Sequence, residues 1–523
     1  MGDINMEETK PSIEASIRRE IEAYAEEASR LSRSDDLARP TFGATIYLAQ
    51  TQVETRFGVF EAFIFQDIIH KGYVMALGYG DIQNEKTLYT RMHSSCVTSE
   101  TLRGCDCDCV QQLEGAIAKI AKEGRGILFY LLQEGRGVGY AAKARDRMLV
   151  QSSQDSISTF EAYMLLGLRK DYRQYRNVFD ICRILRIDAE WIILTNNPDK
   201  VAAMKKNGLR VAKTEKLEVE PEPYNLAYLH SKMQSGHFLE RPQVSGVVRM
   251  RTPEPVIPFK PRALREAQRF IYMAAYFLPV RPVDNQVLMS IDQIQEIAQG
   301  EPIGSYLRKK KSFLESYHFL RNNRILIKID HLALKENSRD VPNDPINQLL
   351  TTPYWFKVHV YFDIVSGTDY VVLTHGSAAI YDTPVVRVQS ESILNRFPVT
   401  DIDNKKKYNH ALLEIIRYGS GAIVLSYHDG RGAGFGAMAM DLMMKERGLS
   451  YSSMESYKHL GINYDQRDYE GLLTVLRHHL PSRKIQMVMN SPNSLVQKPD
   501  FAAALQQNDL DVVKWIFLEG IGE

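Results

Sequence analysis

Four of the chain's five cysteines fall within fourteen residues, Cys96, Cys105, Cys107 and Cys109 in "CVTSETLRGCDCDC". With one other cysteine in the chain they make a poor disulfide framework, and such a cluster points to metal or redox chemistry. Zinc binds thiolates tetrahedrally, with four protein ligands in a structural site and three plus water in a catalytic one. Spacing alone leaves both a closed knuckle and an open site available. The segment that follows, "VQQLEGAIAKIAKEG", puts Val110, Leu113, Ile117 and Ile120 on one helical face and ends at Gly124, a C-cap residue. Cys107 and Cys109 then lie just before a helix, whose dipole favours thiolate. Arg91 and His93 precede Cys96, and "QEGRGVG" at 133–139 follows the strand-like run "ILFYLL". A glycine-rich turn in that place can bring backbone N–H groups up to a phosphate.

The elements that position these residues belong to an ordinary globular chain of 523 residues, 44% hydrophobic, long enough for two to four domains. Its 65 basic and 64 acidic residues give a formal charge of +1, which excludes a global field drawing it to nucleic acid or membrane. No apolar run approaches the roughly 18 residues that cross a bilayer, and the first residues lack a signal-peptide core, so a cytoplasmic protein is expected. Residues 13–32 carry helical amphipathic spacing, and 42–215 alternate strand-like and helical stretches, the pattern of mixed α/β layers. Residues 218–262, rich in proline and charge, read as a linker, followed by a helical stretch near 263–320.

The chain also repeats itself. "KEGRGILFYLLQEGRGVGY" at 122–140 returns as "RYGSGAIVLSYHDGRGAGF" at 417–435, "FEAYMLLGLRKDYRQY" at 160–175 as "MESYKHLGINYDQRDY" at 454–469, and "LTNNPDK" at 194–200 as "VMNSPNS" at 488–494. A common offset of about 295 indicates a tandem duplication whose second copy has no cysteine. The expected fold is two α/β lobes of mixed sheet. Residues 1–40 form an N-terminal extension, 41–217 the first copy, 218–344 linker and helical insert, and 345–523 the degenerate copy.

The spacing of Cys96, Cys107 and Cys109, "QQLE" at 111–114, "QEGRG", "LGLRKDYR" at 166–173 and "LTNNPDK" resembles GTP cyclohydrolase II, the zinc enzyme that opens the guanine imidazole ring at the start of riboflavin synthesis. The resemblance implies that Cys96, Cys107 and Cys109 ligate zinc with water in the fourth place, leaving Cys105 without a role. It implies nucleotide contacts from Arg91, Met92, His93, Ser94 and Ser95, a base-reading amide at Gln112, and triphosphate binding with magnesium at Glu134, Gly135 and Arg136. Further contacts come from Thr159, Thr195 and Lys200. Asp171 matches the proton acceptor, and Arg173 the residue proposed to attack the α-phosphate or, in a substitute reading, to stabilise it electrostatically.

Two positions depart from the pattern. The family's "K-x-R-A-Y" is "KARDR" here, with Arg147 at the tyrosine position, and Ser95 replaces the glutamate before the first zinc cysteine. These changes open a second substrate class, uridine nucleotides, as in the family branch resembling the uracil-catabolism protein. A third possibility is a nucleotide-binding regulator without catalysis. For the second copy this is the favoured reading: Lys407, Met489 and Ser494 stand at the positions of Gln112, Thr195 and Lys200, while Arg431, Asp465 and Arg467 persist. The family enzymes resemble homodimers, so the duplication is expected to give an intramolecular pseudo-dimer or a homodimer.

Overall fold

The computed structural model describes residues 13–32, 39–217, 219, 224–234, 236–237, 252–281, 286–310, 314–320, 324–329, 353–376, 383–400, 403–426, 429–492 and 499–518. After helix α1 (Ile13–Ser32), the first copy builds one sheet from β1 (Thr41–Phe42), β2 (Thr45–Thr55), β3 (Gly58–Asp67), β4 (Tyr73–Tyr79), β5 (Thr87–Ser94), β6 (Gly126–Leu131), β7 (Glu190–Leu194) and β8 (Val211–Glu215). Strand order is β1-β2-β3-β4-β6-β5-β7-β8. The first half is an antiparallel meander, and the last four strands in that order run parallel. Parallel strands need crossovers, which are α2 (Cys109–Glu123), α3 (Tyr140–Ser152), α4 (Thr159–Leu165), α5 (Arg176–Ile184) and α6 (Pro198–Lys206). α2 buries Leu113, Ala116, Ile117 and Ile120 and stops at Gly124 in the left-handed region, φ 71°. Cys182 is a small core side chain on α5.

The second sheet has the same order and directions. It comprises β9 (Arg262–Ala263), β10 (Phe270–Val280), β14 (Tyr354–Asp363), β15 (Asp369–His375), β16 (Val385–Ser390), β17 (Gly421–Ser426), β18 (Lys484–Met489) and β19 (Asp511–Phe517). Its first strands come from residues expected to be linker and helix. "FIYMAAYFLPV" is β10, nearly all of it buried, so it lacks the alternation that marks a half-exposed strand. β11 (Gln286–Ser290), β12 (Leu314–Leu320) and β13 (Arg324–Ile329) form a small antiparallel sheet. It interrupts the β10–β14 hairpin, whose counterpart β2–β3 closes in a tight turn at 55–58. The stretch read as linker also contains a helix, α7 (Leu226–Gln234).

The copies pack reciprocally. α3 lies across β10 and β14, and the helix Phe435–Glu446 lies across β2 and β3. Tyr140 and Tyr276 hydroxyls meet at 2.6 Å, Gln151 brackets the Phe277 backbone at 2.6 and 2.8 Å, and Arg145 donates to the Met273 carbonyl at 2.9 Å. One apolar cluster joins Val97, Leu102, Tyr140 and Met148 to Tyr276, Leu278 and Phe356, and another joins Val53 and Met75 to Phe435 and Met443. No described helix is long and apolar enough to cross a membrane.

Candidate functional site

β5 ends at Ser94, so Cys96 emerges from the carboxyl edge of the parallel strands, where α/β sheets place ligands. A buried π-turn, Val97–Thr101, follows at once, and the chain loops back to Cys107 and Cys109 at the start of α2. The sulfurs of Cys96, Cys107 and Cys109 all lie within 4.8 Å of one another, with Cys96 and Cys107 3.7 Å apart. A tetrahedral ion with metal–sulfur bonds of about 2.3 Å needs sulfurs about 3.8 Å apart, so this donor set fits such an ion. Bonds from Cys107 and Cys109 hold the Cys96 thiol well below its usual range, helped by the Lys143 ammonium, whose Nζ is 3.1 Å from Cys96 Sγ. Cys105 turns away: its N–H and its thiol both donate to the Pro279 carbonyl of β10, at 2.9 and 3.3 Å.

The turn after β6 is tied to this loop. Glu134 accepts from Val97 N–H at 2.6 Å and from Lys143 at 2.7 Å, and burial pushes its carboxyl up. Arg136 sits in the left-handed region, φ 55° and ψ 33°, with its guanidinium 3.9 Å from the Phe160 ring centre and 4.9 Å from that of Tyr163. Gly137, φ +89°, comes so close to the next motif that a Cβ would stand 3.0 Å from the Tyr172 carbonyl carbon. Tyr172 N–H donates to the Arg136 carbonyl at 2.9 Å. The glycine turn and the Asp171–Arg173 pair therefore share one backbone junction, in which Arg173 Nε reaches both Asp171 oxygens at 3.0 Å.

A cleft of about 620 Å³ opens over the cysteines. Of the expected residues, Ser94, Ser95, Cys96, Cys109, Glu134, Gly135, Arg136, Arg147, Thr159 and Arg173 line it. Others sit beneath its walls. Arg91 is buried, which brings it down to about 10, and it donates to the Leu194 carbonyl at 2.9 Å and to Gln112. Gln112 in turn donates to Asp108, so protein groups engage both ends of its amide. His93 meets Glu100 at 2.7 Å, and Lys200 donates to the Met92 carbonyl at 2.7 Å, with burial lowering both side chains. The Thr195 hydroxyl accepts from Asn197 N–H at 3.1 Å.

The second copy repeats this frame without its cysteines. Arg431 has φ 56°, Gln466 N–H donates to the Arg431 carbonyl at 2.7 Å, and Arg467 Nε is 2.8 Å from Asp465. Ile393 N–H donates to Asp429 at 3.0 Å as Val97 does to Glu134, which places Ser392 at the position of Cys96. Facing Ser392 is Met438, where the first copy has Lys143.

Both copies match one family profile, GTP cyclohydrolase II, over residues 47–216 and 345–516. The chain belongs to that family. The GTP cyclohydrolase-2 of Proteus mirabilis is 38% identical over 193 residues, 37% of this chain and 95% of the relative. That of Haemophilus influenzae is 36% identical over 194 residues, 37% and 88%. A solved two-domain 3,4-dihydroxy-2-butanone 4-phosphate synthase from A. baumannii aligns over 37% of this chain and 44% of its own with 15% identity and a TM-score of 0.20, too slight to carry an argument.

On this GTP cyclohydrolase II frame, three features escaped the motif reading. Tyr224, just before α7, and Ala227, Tyr228, His230 and Ser231 of α7 wall the cleft, and Lys232 of that helix pairs with Asp108 at 2.5 Å. Asp106, inside the loop that joins Cys96 to Cys107, forms an ion pair with Arg147, whose guanidinium lies 5.7 Å from the Tyr276 ring centre. Asp146 is buried, takes the Thr159 hydroxyl at 2.5 Å, and is pushed by burial up to about 7. The charges in "KARDR" were visible in the sequence, but nothing local says what they meet.

Proposed function

We propose that the chain is a zinc-dependent cyclohydrolase that opens the guanine imidazole ring of GTP, releasing formate and pyrophosphate, the first reaction of riboflavin synthesis. The observation that carries this reading is the three-thiol group at the base of a cleft whose walls hold Arg136, Lys143, Arg147 and Arg173. Cys96, Cys107 and Cys109 would hold the zinc, which when bound supplies a Lewis acid and brings the pKa of water towards neutrality. Lys143 offsets the negative charge of the thiolate group. Gly135 and Arg136, on a left-handed turn, offer donors to the triphosphate, which arrives with magnesium. Asp171 accepts a proton. Burial would lower Arg173, but Tyr175 and Asp171 together hold it above the ordinary guanidinium value. That favours stabilisation of the α-phosphate over attack upon it. α7 excludes water from one side of the cleft. The second copy completes an intramolecular pseudo-dimer, and a cytoplasmic setting keeps the thiols reduced.

A specific observation favours a second reading. The Gln112 amide, expected to read guanine, is engaged at both ends, and Arg147 stands on the cleft wall, suited to the carbonyl of a uridine nucleotide. Purified protein incubated with GTP and separately with UMP or UTP distinguishes the two by formate release and loss of ring absorbance. Turnover of uridine nucleotides alone would overturn the GTP reading, and turnover of neither would overturn both.

A further inference from the structure

The loop between Cys96 and Cys107 is held at both ends by the copy that lacks metal ligands. At the Cys107 end, Gly104 forms a β-bridge with Val280, Cys105 N–H donates to the Pro279 carbonyl at 2.9 Å, and Arg281 N–H donates to the Arg103 carbonyl at 3.2 Å. At the Cys96 end, the π-turn carries Glu100 and Thr101 into a buried polar cluster. Glu100 is bonded to His93 at 2.7 Å and receives the Tyr130 hydroxyl, while Thr101 donates to Glu391. Arg396 lies between them, with Nε 2.6 Å from Glu391 and Nη1 3.3 Å from the Tyr130 hydroxyl. Its side chain is 6% exposed, that of Glu391 6% and that of Glu100 0%.

Two buried carboxylates in one pocket repel each other and lose hydration, so they need a cation with directed donors. Arg396 supplies it from across the interface, and Phe397 packs edge-on to Tyr130 at 4.8 Å. We infer that Arg396 is a positioning residue for the first copy's metal loop: through Glu391 and Tyr130 it fixes Thr101 and Glu100, and with them the turn that sets Cys96. The second copy's function then includes holding a centre it does not itself contain. This rests on reading the cysteine triad as a metal centre.

The test uses full-length protein. Arg396→Met should release zinc to a chelator at least about ten-fold faster than the parent and alter the thiolate absorption of the cobalt-substituted protein, with kcat falling more than KM rises. Arg396→Lys should restore part of each. Parent-like zinc release and cobalt spectrum in Arg396→Met would overturn the inference, as would a lysine variant indistinguishable from the methionine one. If Arg396→Met does not accumulate in folded form, Thr101→Val, which removes only the hydroxyl donated to Glu391, should move the same two readouts in the same direction, and no movement would overturn the inference. A parent protein that binds neither zinc nor cobalt would overturn the metal reading itself, a separate outcome.

Discussion

Cys107 and Arg147 are read differently at the scale of single residues. A serine at Cys107 removes one of three sulfurs that converge within 4.8 Å, so Cys107→Ser should abolish metal content and ring opening together. Metal analysis beside a formate assay checks it, and full activity with serine would end the metal hypothesis. Arg147→Tyr restores the family residue but leaves Asp106 buried without its partner. A shift in the GTP-to-uridine preference is expected along with lower stability, and unchanged preference would remove Arg147 from specificity. Asp146 gives a pH dependence. Its folded pKa of about 7 lies above the carboxylate's ordinary value, so between the two the folded state holds a proton that the unfolded chain has released. The contribution of this group to stability is present at acid pH and is lost as pH rises towards about 7. Asp146→Asn should therefore gain stability relative to the parent as pH rises from about 4 to about 7. Denaturation midpoints across that range check it, and a difference flat with pH would contradict it.

Elements were legible where local chemistry forces residue choice. Three cysteines, the positive-φ Gly137 and the Asp171–Arg173 pair stand out because a thiol group that could hold a metal, a crowded junction and an ion pair each admit few side chains. β10 and α7 were not legible for the opposite reason. β10 is almost wholly buried, and what α7 covers is fixed by long-range packing that no window of sequence contains. The β11–β13 insertion interrupts a hairpin that the first copy closes with a tight turn. Replacing residues 282–352 by the residues of that turn should leave both eight-stranded sheets intact and the melting temperature within a few degrees; loss of the cooperative transition would show that the insertion holds the second lobe together.

For the whole molecule, the reciprocal packing decides what can be cut. Removing residues 250–523 would bare Val97, Leu102, Tyr140 and Met148 on one face and Val53 and Met75 on the other. The remaining half should aggregate or self-associate and lose its metal. Light scattering and metal content check this, and a stable, monomeric, active half would show the second copy to be dispensable. The segment 345–523, with Ser392 at the position of Cys96 and without β10, should not open a ring.

The proposed clamp on the thiol loop also has a consequence in time. Ribosomes deliver the chain from its N-terminus, so Cys96, Cys107 and Cys109 leave the exit tunnel long before Pro279, Glu391 and Arg396 have been made. Domains commonly fold as units during synthesis, first part first. If Arg396 positions the thiol loop as proposed, the earlier copy would not lock that loop until its younger sibling is complete; loading of a metal would then belong to the last stage of the protein's birth, and a chain stalled in its second half would carry thiols open to oxidation.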